Sequence, residues 1–241
     1  LALEACLASS ASDRERLELT VRRLLRLTRL ADGAPSLLQG QMNRSVIGWT
    51  LVTLREAGAM LSPSFVDEEV LPWLESQNPR ARMERDVRAE TVLCFARMGL
   101  SPETSPEDLA LGFQHHALHS MRWILAIQRE IAAAVALQPA QARAALEACA
   151  LRMASSDELS TLSLSAPHDL VLVGVCQDAF DDALAQELEL QLARLRLVAL
   201  AGDAARLAAT LAALQDPYDG RPLRQRAGDD GQLEIWSVGP D

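Results

Sequence analysis

Two histidines four residues apart are the part of this sequence best placed to do chemistry. In Gln114-His115-His116-Ala117-Leu118-His119, a helix would carry His115 and His119 on one face, the spacing at which two imidazoles reach one metal ion. The signature is incomplete: no Glu follows His115 as in His-Glu-x-x-His, and Glu107 and Asp108, the nearest carboxylates, lie a turn or two away. The pair suits satisfied polar positions on a surface helix equally well. Asp178, Asp181 and Asp182 form a second constellation, at the helical spacing that gathers carboxylates for general acid–base or Mg²⁺ work. In so acidic a chain it reads more simply as a solvated face. Ser165, His168 and Asp169 share one loop, 163–169, but nucleophile triads are assembled from distant segments and no Gly-x-Ser-x-Gly elbow is present. Neither Gly-x-Gly-x-x-Gly nor a P-loop occurs, so nucleotide binding has no signature. No catalytic residue and no cofactor is expected, and His115 and His119 stand as the candidate metal ligands.

The elements that would position these residues read as helices. Ser12-Asp13-Arg14-Glu15 has the form of a capping box, and Leu17, Val21, Leu24, Thr28 and Ala31 follow as one apolar stripe. Arg14, Arg22, Arg26 and Arg29 fall on another side, interspersed with Glu15 and Glu18. A basic amphipathic helix can lie on an anionic membrane, but ion pairs within the helix explain the pattern more cheaply. Asp32-Gly33-Ala34-Pro35 stops the helix. Further helices are expected over about 36–59, 66–75, 80–98, 107–112, 114–137, 139–155, 157–162, 170–200 and 203–214. The loop Ser101-Pro102-Glu103-Thr104-Ser105-Pro106 cannot propagate a helix and marks a candidate subdivision. After Leu214 the pattern changes. Asp216-Pro217-Tyr218-Asp219-Gly220 is turn chemistry, and 222–226 and 232–238 read as two short strands around Gly228-Asp229-Asp230-Gly231. An isolated hairpin is marginal in water, so Leu223, Leu233, Ile235 and Trp236 are expected to pack on the helices. The fold class is therefore mainly α: an irregular multi-helix bundle, body 1–215, closed by a β-hairpin tail, 216–241.

Composition agrees and narrows the partners. Hydrophobic residues make 49% of the 241 and charged residues 23%, a globular balance, while aromatics are only 4%. All 23 basic residues are Arg, yet the net charge is −10 and the pI near 4.9, which disfavours a nucleic-acid partner. Cys6, Cys94, Cys149 and Cys176 include no Cys-x-x-Cys pair, so zinc ribbons and thioredoxin-like motifs are excluded, and each reads as a small buried apolar residue. No apolar run reaches the roughly 18–20 residues of a membrane span, and no signal peptide is visible. The chain opens on Leu1-Ala2-Leu3-Glu4-Ala5, which reads as the continuation of a helix, with a membrane tether expected upstream.

The last 26 residues carry a resemblance. Asp216-Pro217-Tyr218-Asp219-Gly220-Arg221-Pro222-Leu223-Arg224, followed by Gly231-Gln232-Leu233-Glu234-Ile235-Trp236-Ser237-Val238-Gly239-Pro240-Asp241, resembles the C-terminal hairpin of type II secretion major pseudopilins. That family's pattern is Asp-Pro-aromatic-Gly-x-Pro, then Gly-x-x-aromatic-Ser-x-Gly-x-Asp-Gly. A similar tail closes many uncharacterised, mostly helical envelope proteins of Gram-negative bacteria and planctomycetes, in which a membrane helix commonly precedes the soluble part. The body is more similar to that second group, since no long spine helix with an apolar first half is present. Pseudopilins bind calcium in the loop after this segment. Ser237, Gly239 and Asp241 match its start, but most of the acidic ligands would lie beyond Asp241, so calcium is not expected here.

The resemblance implies a non-enzymatic envelope protein, periplasmic and tethered to the inner membrane, whose work is protein–protein association, secretion-related in one version. The rivals are a metal-dependent helical enzyme using His115 and His119, and a small-molecule-binding bundle with a cavity lined by Trp49, Trp73 or Trp123. A cytoplasmic location is the alternative to the periplasm.

Overall fold

A computed structural model describes residues 13–32, 36–97, 126–155, 166–227 and 233–239; of 91, 93–97, 154–155 and 166–173 it describes the backbone alone. The chain is mainly α, a helical bundle with a two-stranded antiparallel sheet near its C-terminus. It divides into two compact units. One takes the described residues of Leu1–Ala34, Leu38–Pro79 and Ala183–Asp241, the other those of Pro35–Leu37 and Arg80–Asp182. The loop 101–106 lies outside the described residues.

In the first unit, helix α1 (Arg14–Ala31) is capped by Asp13, whose Oδ1 accepts from the Arg16 N–H at 3.1 Å. The cap is thus Asp13 rather than the Ser12 box read from sequence. A carboxylate there satisfies an orphan amide and also meets the positive end of the helix dipole. Leu17, Val21, Leu24 and Thr28 are buried, as the stripe requires, while Ala31 is half-exposed. Helix α2 (Leu37–Ala57) runs on into a 3₁₀ turn, Gly58–Met60. Gly58 sits there because a Cβ would come within 3.0 Å of Leu197 Cδ2.

The segment read as one helix over 66–75 is built in three parts: α3 (Pro63–Phe65), a π turn (Val66–Val70) and α4 (Leu71–Ser76). Pro72 explains the irregularity. It has no N–H for a bond to Glu68 O, and its ring would collide with that carbonyl in a regular helix. The turn widens just before it, and the Leu71 N–H reaches back five residues to Val66 O. The π turn also carries two ion pairs to other elements. Glu69 takes both Nε and Nη2 of Arg22 at 2.6–3.0 Å, and Asp67 takes Arg206 at 2.6 Å.

These contacts correct the expectation of pairing within α1. The main partner of Arg22 is Glu69, with Glu18 adding a weaker attraction, while Glu18 accepts from the Ser62 N–H and Arg14 Nε donates to Met60 O. Beneath them, Trp73 and Thr28 are buried. Trp73 Nε1 donates to Thr28 Oγ1 at 2.9 Å, and that hydroxyl donates to Leu25 O at 2.7 Å, so each polar group buried here is satisfied.

The second unit holds α5 (Pro79–Arg97, from Arg80 on), helical residues 126–135, α6 (Pro139–Ser155) and the start of α7 (Ala166–Leu200). Met83, Ile131, Leu146, Met153 and Phe180 are its largest fully buried side chains among the described residues. Arg80 Nη2 donates to Leu137 O, and Arg143 pairs with Asp181 at 2.7 Å. Cys149 and Cys176 are free thiols, buried as the sequence implies, and burial pushes the Cys176 thiol up to about 12. Cys6 and the Cys94 side chain lie outside the described residues.

The rest of α7 returns to the first unit and ends at Gly202 (φ +74), whose N–H bonds Ala199 O in a left-handed cap. Asp203 then caps α8 (Ala204–Ala213). Strands β1 (Arg224–Ala227) and β2 (Leu233–Trp236) pair with Arg224 opposite Trp236 and Arg226 opposite Glu234. Leu223 is buried in a cluster with Leu195 and Leu214, and Ile235 packs partly against it. Leu233 and Trp236 are 49% and 42% exposed, against expectation. Successive strand residues face opposite ways, so Ile235 and Trp236 cannot both turn inward. Trp236 instead lies under the Arg226 guanidinium, 5.6 Å from its ring centre, and Arg226 pairs with Glu234 at 2.6 Å.

Candidate functional site

The densest polar constellation among the described residues is assembled around Asp216, in the tail. The chain turns at Asp216-Pro217-Tyr218-Asp219-Gly220, where the Asp216 carboxylate accepts from the Tyr218 N–H at 3.0 Å and the Asp216 carbonyl from the Gly220 N–H at 2.8 Å. Gly220 (φ +71) occupies the left-handed region that a side chain resists. The Asp216 N–H bonds Arg221 O, and Gln215 bridges Pro222, so the turn closes on itself before the hairpin begins.

Asp216 has no exposed surface. A buried carboxylate is costly unless donors surround it, and here four do so. Its Oδ1 takes the Tyr218 N–H and the Ser237 hydroxyl, the latter at 2.9 Å. Its Oδ2 takes the Val238 N–H at 2.8 Å and Arg224 Nη1 at 3.3 Å. Arg224 bridges onward to Asp219 at 2.9 Å, and Ser237 Oγ accepts in turn from the Gly239 N–H, with Gly239 at φ +77. The Arg221 N–H and then Arg224 hold the Asp219 carboxyl below its usual range. The arrangement is a clamp. It fastens the end of β2 to the segment that follows α8.

The second feature is a surface groove of about 300 Å³ between α2 and α7, within the first unit. It is lined by Leu51, Val52, Arg55, Glu189, Leu192 and Arg196, among others. Trp49, three residues before Val52 on α2, is 55% exposed.

The residues proposed from sequence fare differently. His115, His119, Ser165 and Trp123 lie outside the described residues. His168 and Asp169 stand in the first turn of α7, backbone only. Asp178, Asp181 and Asp182 are exposed, with Asp181 engaged by Arg143, and among the described residues no three His, Cys, Asp or Glu side chains gather as a metal site. Trp73 belongs to the core and Trp49 is exposed on α2. In the second unit a void of about 10 Å³ touches Cys176 and Gln128, room for one water. No described helix is long and apolar enough to cross a membrane. No protein-family model, curated protein or solved structure matches this chain.

Proposed function

We propose that this protein is a non-enzymatic helical component of a bacterial envelope assembly, periplasmic, tethered by a segment ahead of Leu1, and acting through association with other proteins. The observation that carries the reading is the tail. Four of the residues that carry the pseudopilin resemblance, Asp216, Gly220, Ser237 and Gly239, are joined in one clamp in this chain, which supports reading the tail as a built unit. The row of exposed large apolar side chains on α2, Leu38, Met42, Trp49 and Val52, beside the groove it shares with α7, supports the association part, since apolar side chains left in water along one helix face suit a protein partner. A secretion-related role is the narrower form of the same reading and rests on the tail alone.

Fractionation of source cells expressing the native protein tests the placement. The proposal expects it in the envelope fraction, released by detergent. Recovery in the cytosol without detergent contradicts it.

A further inference from the structure

We propose that the outer face of α2 and the C-terminal half of α7 docks a second copy of this chain, the two α7 helices crossing antiparallel about a two-fold axis between Leu192 and Ala193. This deepens the association reading by naming one partner, and it does not depend on envelope placement.

The face is defined by helical arithmetic. At about 100° per residue, positions 38, 42, 45, 49 and 52 of α2 fall within roughly 80° of arc. Four of them are large, apolar and exposed: Leu38 at 70%, Met42 at 56%, Trp49 at 55% and Val52 at 45%. Single exposed apolar residues are ordinary, but a sustained stripe along one helix is the pattern of a helix–helix seam. Val52 leads from the stripe into the groove shared with α7, where Leu192 is exposed and Ala193 half-exposed.

Charge selects the occupant. Glu189 and Arg196 line the same groove, both are exposed, and neither has an ion-pair partner among the described residues. They stand seven residues apart, about 10.5 Å along the axis, too far to pair with each other within one helix. They are also equidistant from the midpoint of Leu192 and Ala193, three and a half residues to either side. In an isologous two-fold contact between antiparallel helices, a position on one side of the axis faces the position equally far on the other side. Glu189 of each copy therefore meets Arg196 of the other, and one symmetry operation makes two ion pairs. A parallel in-register crossing would set Glu189 against Glu189 and Arg196 against Arg196. At the centre, the small Ala193 lets the helices approach while Leu192 of each copy fills the space beside it.

Sedimentation equilibrium of the chain, in reducing buffer over about 1–200 μM, tests the proposal against the affinity range of a modest interface. A concentration-dependent dimer is expected. Glu189→Arg and Arg196→Glu should each weaken it about tenfold or more, and the double exchange E189R/R196E should restore it. Leu192→Glu should abolish it, with the helical circular dichroism of every variant unchanged. A chain monomeric throughout, or a dimer indifferent to the single reversals, or one that the double exchange fails to restore, overturns the proposal. A monomer that nonetheless sits in an envelope complex removes the second copy as partner and leaves the association reading standing.

Discussion

Asp216 and Ser237, 21 residues apart, are joined by a 2.9 Å hydrogen bond in which the Ser237 hydroxyl donates to a carboxylate wholly shielded from solvent. The first prediction concerns this clamp. Asp216→Ala leaves the Tyr218 and Val238 amides and the Ser237 hydroxyl without their acceptor and Arg224 with Asp219 alone, at a cost of about 2–4 kcal/mol. Asp216→Asn keeps an acceptor but places an NH₂ against donors, and should lose part of that. The loss should be local. Hydrogen exchange should rise at 216–239 while α1 and α4 keep their protection, and unchanged exchange in the tail would refute the clamp.

The second prediction pairs two glycines. Gly58→Ala drives a methyl group against Leu197 and should cost about 1 kcal/mol or more, since the buried neighbour has to move. Gly48→Ala, in the interior of α2 with nothing within 4 Å of the new Cβ, should stabilise by about 0.5–1 kcal/mol. Urea unfolding of the two variants checks the opposite signs.

The Trp73–Thr28 bond supplies a third. Thr28→Val removes the acceptor of a buried indole N–H and should destabilise by about 1–3 kcal/mol. Trp73→Phe should cost a comparable amount through the lost bond and lost volume. The double variant should fall short of the sum by about 1 kcal/mol, and strict additivity would mean that the bond contributes nothing.

How much of this was legible in the sequence depends on whether the cause was local. Helix α6 begins at Pro139 and ends at Ser155 as its first-turn proline and Ala-rich pattern imply, and the pattern gives α7 as helix from about 170 despite its Val- and Leu-rich start, four residues inside its beginning at Ala166. The capping of α1 moved by one residue because Ser12 and Asp13 are both good caps and the pattern alone does not choose between them. The π turn is not legible in the apolar pattern, which reads 66–75 as one helix; the widening is set by Pro72, whose missing N–H and ring act on the turn before it. In the tail, the Asp-Pro turn and the hairpin were visible, but burial of Asp216 depends on Ser237 and Val238 arriving from β2, which no local window contains. The groove was hidden for another reason. Both the inner and outer faces of α2 are apolar, so periodicity could not tell the buried side of Ile47 and Leu54 from the exposed side of Trp49 and Val52.

A fourth prediction follows from the Arg22–Glu69 pair. The hydrogen bond from Arg22 holds the Glu69 carboxyl below its ordinary 4.5, with Arg26 and Arg29 adding to the effect. Because the folded value is depressed, the pair's stabilisation is present above the ordinary range and is lost as pH falls through the folded value. Glu69→Gln should lower stability at pH 7 by less than about 1 kcal/mol, since both side chains are about one third exposed and solvent screens them. The gap between wild type and variant should close on acidification. A gap that stays constant from pH 7 down to pH 3, roughly the range in which such a pair titrates, would contradict the assignment.

The thiols give a fifth. Burial raises Cys149 and takes Cys176 to about 12, so both stay protonated and shielded at pH 8. Peptide mapping after brief alkylation of the native chain should find both unlabelled, and labelled once urea is added. The same shift makes stability fall as pH rises above the unfolded thiol value near 9, because the folded chain retains a proton that the unfolded chain releases.

Association through the α2–α7 face is the central claim, and site-specific photocrosslinking tests it most directly. A crosslinker at Val52 in the native protein, irradiated in source cells, should yield covalent protein adducts in the envelope fraction, while one at Glu15, on the exposed side of α1, should yield few. Protein recovered without adducts from Val52, or recovered from the cytosol, would contradict the account.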